Sequence, residues 1–282
     1  MKEKSQHIEQ LVYEMQLRNY SPRTIICYGG LMSKLEKVLG ITLDKITLTQ
    51  FKDFLHRLIT TEGISVSLVN QYVSAFKKVQ EDVLNRNWEH FKIKRPRREK
   101  KLPIVLSLEE VERLISVTSN LKHKAILMLA YSSGMRREEV QKIKPSAIDS
   151  ARMQVHVVQG KGKKDRYTIL SVKALEALRT YYKAERPMTF LFEPLGKKGC
   201  SMSDGTLAHI VKNNARKASI KKKISFHTLR HCFATHLLEK GVNLRLIQQF
   251  MGHTSIKTTA GYLHLVHIDA SSIVSPLDSM DI

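Results

Sequence analysis

FHTLRHCFATHLLEKGVNLRLIQQFMGHTSIKTTAGYLH, residues 226–264, gathers His227, Arg230, His231, the pair Gly252-His253 and the pair Gly261-Tyr262 in one continuous segment. Its first part is predicted to be helical. His227 and His231 then stand four residues apart on that helix, which is also a metal-ligand spacing. The glutamate of an HExxH motif is absent and no third ligand is fixed by spacing, so the segment predicts no metal. Arg230 lies between the two histidines, and Tyr262 follows His253 after a short polar stretch.

Two further pieces lie upstream. One is Gly134-Met-Arg136-Arg-Glu-Glu139, just after the apolar run Ala125–Tyr131, which is apolar nearly all round and predicts a helix central to a core. The other is Gly160-Lys161-Gly162 within the basic turn from Gln159 to Arg166. That turn joins the β-like runs Met153–Val158 and Tyr167–Leu170, so a β-hairpin is expected. Ser107-Leu-Glu-Glu has the form of a capping box opening a helix through Val111, Leu114 and Ile115. The run Thr189–Phe192 reads as a further short strand, and helices resume from Val172 to the end. Taken singly, these pieces have ordinary explanations. RREE suits surface ion pairs, GKGKK a solvated turn, and a lone tyrosine a half-buried core position. Their conjunction in one chain outweighs those explanations.

The N-terminal third reads as successive amphipathic helices. Ser21-Pro22 combines an N-cap with proline at the first helical position, and Gly40 closes the helix through Tyr28, Leu31, Leu35 and Leu39. A third helix follows Thr47 with Phe51, Phe54, Leu55 and Leu58. A fourth follows Ser65 with Val69, Tyr72, Val73, Phe76 and Val79. Residues 92–101, KIKRPRREKK, carry seven basic residues, one Pro and one Glu, and cannot pack a core. They predict a linker over 92–103, between a helical domain over 1–91 and a second domain over 104–282.

The chain has 282 residues, with 47 Lys plus Arg against 26 Asp plus Glu, a net charge of +21. A surface at such positive potential attracts polyanions, nucleic acid first among them. Lys94, Arg95, Arg97 and Arg98 in the linker and Lys163 and Lys164 in the hairpin turn are the candidate phosphate contacts. No apolar run approaches the length of a bilayer span. The N-terminal MKEKSQHIEQ lacks a secretory apolar stretch, so a cytoplasmic location is expected, and no membrane partner. Cys27, Cys200 and Cys232 are widely separated and odd in number, which suits reduced thiols.

In order and spacing, HxLRH at 227–231, Gly252-His253, Tyr262, the Arg136 motif and the Lys161 turn resemble the tyrosine recombinase family, which includes phage-type integrases and Xer-type enzymes. The SPRT segment at Ser21 resembles that family's N-terminal domain, so the similarity covers nearly the whole chain. The resemblance implies an all-α, SAM-like core-binding domain followed by an α+β catalytic domain, mainly α with a small β-sheet. It implies Tyr262 as nucleophile, with Arg136, Lys161, His227, Arg230 and His253 as its supporting set and Glu139 orienting that set. Ser132-Ser133-Gly134 departs from the family's usual Gly-Thr-Gly, and Arg137 leaves the first-arginine assignment open to its neighbour. The family's partners would be a specific double-stranded DNA site gripped by a clamp of two domains, with two protomers per site and four in the synapse.

Those roles agree with elementary chemistry. Attack of a phenol oxygen on a phosphodiester builds negative charge on the non-bridging oxygens, which Arg136 and Arg230 can bind bidentately. A phenol has a pKa of about 10, so a cationic site must favour its ionisation and His227 can accept its proton. Lys161 can protonate the leaving 5′ oxygen, and His253 can donate to the phosphate. The phosphotyrosine keeps the energy of the broken bond, so no cofactor is chemically required, and no GxxxxGK[ST] loop is present. A topoisomerase using the same tyrosine, or a DNA-binding protein that lost the chemistry, are the alternatives.

Overall fold

Local capping chemistry sets where the helices of this chain begin. The computed structural model describes residues 5–88, 93–96, 102–158 and 165–266, and the chain divides into two units, Met1–Lys101 and Leu102–Ile282.

The first unit is helical throughout its regular structure. Its main helices are α1 (Gln6–Leu17), α2 (Pro22–Leu39), α3 (Leu48–Thr60) and α4 (Val66–Lys78), followed by a π-helical turn over Val79–Val83. Ser21, Thr47 and Ser65 each accept a hydrogen bond from the backbone N–H three residues on, as N-caps do. Gly40 ends α2 at φ 70°, in the left-handed region that glycine enters without strain. The apolar faces meet in a core around Phe51, Phe54, Tyr72 and Phe76, with Phe51 stacked on Phe76 at 4.1 Å.

The second unit begins with α5 (Leu108–Ser116), opened by the Ser107–Glu110 capping box, and α6 (Leu121–Ser133). Ala125, Ile126, Leu127, Leu129 and Ala130 of α6 are fully buried, so this helix is central to the core. The short α7 (Arg137–Lys142) leads to an antiparallel sheet of β1 (Ile148–Asp149), β2 (Gln154–Val157) and β3 (Arg166–Ile169), in that order. In the β2–β3 register Val155 faces Thr168 and Val157 faces Arg166. The helices α8 (Val172–Glu185), α9 (Asp204–Lys217), α10 (Phe226–Glu239), α11 (Leu244–Met251) and α12 (Ile256–Ala260) follow.

Helix α10 also fastens the start of the unit. The Leu106 N–H donates to Cys232 Sγ at 3.2 Å, and its carbonyl accepts from His236 Nε2 at 2.9 Å. A proton on Nε2 leaves Nδ1 to accept from the Tyr131 hydroxyl, also at 2.9 Å.

Two expectations are corrected. Thr189–Phe192 is not a strand, because its N–H groups go elsewhere. Thr189 and Phe190 donate to the buried Glu193 carboxylate, and Leu191 donates to the Ile143 carbonyl. Arg166 is not the last residue of the basic turn but the first residue of β3, with its side chain 9% exposed.

Candidate active site

The site grows out of two glycine-terminated helices. Gly134 ends α6 at φ 60°, and a Cβ there would lie 2.3 Å from the Phe233 ring, so glycine is required on both counts. The chain then turns extended at Arg136, whose own N–H donates to Glu139 Oε2 at 2.7 Å. Arg136 therefore stands at the start of α7, with its guanidinium turned back over Glu139, Nη1 to Oε1 at 2.9 Å. Arg137 goes the other way, to Asp204 of α9 at 2.8 Å. That divergence places Arg136, rather than its neighbour, with the other motif residues.

Helix α11 ends in a Schellman arrangement, with Gly252 N–H on the Gln249 carbonyl and His253 N–H on the Gln248 carbonyl. The next three carbonyls have no partner within the helix. Each receives a different arginine. Phe250 O accepts from Arg166 Nε at 2.8 Å, Met251 O from Arg230 Nη2, and Gly252 O from Arg136 Nη2 at 3.1 Å. Arg230 also donates to Gly134 O and is only 1% exposed. The negative end of the α11 dipole thus helps to hold three guanidiniums together.

Glu139 supplies the remaining counter-charge. Arg166 grips it bidentately, Nη1 to Oε1 at 2.7 Å and Nη2 to Oε2 at 2.6 Å, while Arg136 uses the same two oxygens. Burial alone would raise the Glu139 pKa, but the bonds and charges of Arg166 and Arg136 outweigh it and hold it at about 2. Burial, then the Arg136 charge, pushes Arg230 down to about 9, which leaves it cationic at neutral pH.

Tyr262 follows α12 and packs in a small apolar cluster with Phe233, Ala234, Ile247 and Met251, only 6% exposed. Burial raises its pKa while the charges of Arg230 and Arg136 oppose that rise, so the free phenol is protonated near neutrality. The imidazole on its oxygen is His231, Nδ1 to Oη at 3.0 Å. His227 sits one turn earlier on α10, exposed, with its ring 5.1 Å from that of His231 and perpendicular to it. Burial, then the His227 and Arg230 charges, pushes His231 down to about 4. His253 is pushed down to about 3 by burial and then by Arg230, Arg136 and Arg166. Its Nδ1 is bonded to Thr259 Oγ1 at 2.9 Å and its ring lies parallel to that of Tyr262. Although His227 is exposed at its surface, partial desolvation of its ring, then the charges of Arg230, Arg136 and Arg137, lowers its pKa as well. All three rings are therefore neutral at pH 7, and His231 can accept the phenol proton in its hydrogen bond.

A cleft of about 930 Å³ opens beside Arg136 and His227, with Lys142, Lys144 and His156 in its wall. Of the remaining candidates, Lys161, Lys163, Lys164, Arg97 and Arg98 lie outside the described residues. Lys94 is exposed, and Arg95 donates to Asn70 O and Ser74 Oγ of α4. Among the described residues no three His, Cys, Asp or Glu side chains gather as a metal site, and no helix is long and apolar enough to cross a membrane. Two residues of this centre, Arg166 and His231, lie outside the set that the sequence singles out. The signal for His231 was its place one helical turn from His227, whereas Arg166 was hidden in a basic run.

A helical unit and a mainly helical unit with a small sheet, the second holding a buried tyrosine beside arginines and histidines, define a class that comparison with known proteins identifies. Residues 105–267 match the phage integrase family and residues 8–90 match the phage integrase N-terminal SAM-like domain. A tyrosine recombinase of Thermosipho africanus is 31% identical over 94% of this chain and 96% of its own. Tyrosine recombinase XerD of Staphylococcus saprophyticus is 32% identical over 92% of this chain and 93% of its own. The Tn1549 transposon integrase, solved in complex with circular intermediate DNA, superposes with a TM-score of 0.73 at 18% identity, over 94% of this chain and 97% of that one, a likeness of fold. The chain belongs to the phage integrase family. It is a tyrosine recombinase, an enzyme of site-specific recombination that cleaves and rejoins DNA strands.

Proposed function

We propose that this chain binds a specific double-stranded DNA site and cleaves it through a covalent bond between Tyr262 and the 3′ phosphate. The observation that carries this assignment is the Tyr262 hydroxyl, buried beside the arginine cluster and hydrogen-bonded to a neutral imidazole. Arg136 and Arg230 bind the non-bridging oxygens, and His227 and His253 donate to the same phosphate. As the Tyr262 oxygen bonds to phosphorus, its proton passes to His231. The anionic phosphate, once bound, offsets the neighbouring positive charge that keeps this ring a weak base. The bond from phosphorus to the 5′ oxygen breaks, and Lys161 of the hairpin turn protonates that oxygen. Attack by the 5′ hydroxyl of a second strand reverses the step and joins the partners.

In this reading residues 1–91 form a core-binding domain on the same duplex, with residues 92–103 as the tether. Lys94, Arg97, Arg98, Lys163 and Lys164 follow the phosphates, while Arg95, bonded to α4, takes no part. Two protomers occupy each site and four form the synapse, in the cytoplasm. The Tn1549 transposon integrase, solved with circular intermediate DNA, and lambda integrase, solved as a tetramer bound to a Holliday junction, support DNA as the partner and a four-protomer assembly.

The test uses a duplex sequence that the wild-type chain selects from a random pool, nicked near the cleavage position so that religation is prevented. Wild type should accumulate a covalent protein–DNA complex, and Tyr262→Phe should bind equally well and form none. Covalent attachment by the Phe variant at the wild-type rate would assign the nucleophile elsewhere. Cleavage without any sequence preference would favour a topoisomerase.

A further inference from the structure

Arg166 makes more connections within the centre than its position at a strand end suggests. Its fork occupies both oxygens of Glu139, its Nε holds the Phe250 carbonyl, and its Cδ lies against Gly252, where a Cβ would come within 2.7 Å. Each Glu139 oxygen is thereby shared between two donors, Oε1 by the two guanidiniums and Oε2 by Arg166 and the Arg136 N–H. A carboxylate satisfied in this way takes only one N–H bond from the Arg136 side chain. The same guanidinium reaches the Gly252 carbonyl, next to His253, with its other terminal nitrogen. Arg166 also heads β3, a short way along the chain from Lys161.

We propose that Arg166 is a positioning residue for strand cleavage, holding Glu139 so that the Arg136 guanidinium stays available to the scissile phosphate, and bracing the Gly252-His253 turn. The inference rests on the recombinase assignment above. Remove the Arg166 side chain, and Glu139 keeps its charge with half of its donors gone. Buried carboxylates draw such donors strongly, and Arg136 is the nearest. Arg136 then closes into a two-bond fork on Glu139 and withdraws from the phosphate. The lesion is therefore a carboxylate competing for Arg136, and deleting that charge relieves it.

The experiment compares single-turnover cleavage of the nicked duplex, at saturating protein, by wild type, Arg166→Ala, Glu139→Gln and Arg166→Ala with Glu139→Gln. Arg166→Ala should cleave at least about 100-fold more slowly, the scale of losing one preorganised donor, with its Kd for the same duplex within about threefold of wild type. Adding Glu139→Gln to it should recover at least about tenfold. A residue that only stabilises the fold predicts that the double variant is no faster than Arg166→Ala, and that result overturns the proposal. A loss of DNA affinity that matches the loss of rate overturns it too, since Arg166 would then be a DNA contact. If thermal melting shows Arg166→Ala to be unfolded, Arg166→Lys replaces it, because lysine cannot form the fork, and the same recovery is required. Absence of cleavage by wild type would instead reject the recombinase assignment itself.

Discussion

His231 Nδ1 lies 3.0 Å from the Tyr262 hydroxyl, although the two residues belong to different elements and are 31 positions apart. The ring is the group on the phenol oxygen, and its low proton affinity keeps it neutral and able to accept. Replacing His231 with Ala should slow cleavage by about 100-fold or more, the usual scale for a lost general base. Attack would then depend on the ionised phenol, whose share grows tenfold per pH unit below its pKa. Single-turnover rates between pH 7 and 9 should rise with a slope near one for His231→Ala and stay nearly flat for wild type. Parallel profiles would remove His231 from proton transfer.

The depressed imidazoles tie stability to pH. An unfolded chain protonates His231 and His253 near pH 6.5, whereas the folded protein resists until about 4 and about 3. Above 6.5 neither ring takes up a proton in either state, so neither affects the balance. Below it the unfolded state binds more protons, and stability falls as pH drops, with a slope approaching about 1.4 kcal/mol per pH unit for each ring. Glu139 acts in the same direction but only below its ordinary 4.5, down to about 2. Urea midpoints at pH 7, 6 and 5 should decline for wild type and decline less for His253→Gln. Equal declines would mean that His253 titrates normally in the folded chain.

Gly252 is required by both backbone and space. At φ 59° an alanine is strained by about 1 kcal/mol, and its Cβ would press on the Arg166 side chain. Gly252→Ala should therefore lower the melting temperature by a few degrees and reduce cleavage by well over the factor that the lost stability accounts for. Unchanged cleavage would show that the packing of Arg166 against Gly252 is dispensable.

The linker is tested by salt. Arg95 is tied to α4, so Lys94, Arg97, Arg98 and Lys100 are the side chains to replace with Ala. Every phosphate that loses its cationic partner should reduce the slope of log affinity against log salt by about one unit, on matched and scrambled duplexes alike. An unaltered slope would place this charge away from the DNA.

The helix starts at Ser21, Thr47, Ser65 and Ser107 were legible in the sequence because an N-cap is a bond between a side chain and a backbone group three residues on. The motif residues Arg136, Arg230, His253 and Tyr262 were legible for a similar reason, each marked by its immediate neighbours. What escaped was decided at long range. Whether His227 or His231 meets Tyr262 depends on how α10 is rotated against the segment after α12, which spacing alone leaves open. Arg166 looked like one more charge in a basic turn, and only its pairing with Val157 makes it a strand residue, its side chain 9% exposed against Glu139. Thr189–Phe192 had strand composition, but the Glu193 carboxylate took up the Thr189 and Phe190 N–H groups first.

The three arginine-bound carbonyls are those of the last two residues of α11 and of its Gly252 cap, and the helix has only eight residues. So short a helix has little stability of its own and stays folded through its docking. Undocking it would take one acceptor from each of Arg166, Arg230 and Arg136 at once and carry His253 away from them. Catalytic competence and the local opening of α11 are then one equilibrium, so mild heat or dilute denaturant should silence the enzyme before the rest of the unit melts.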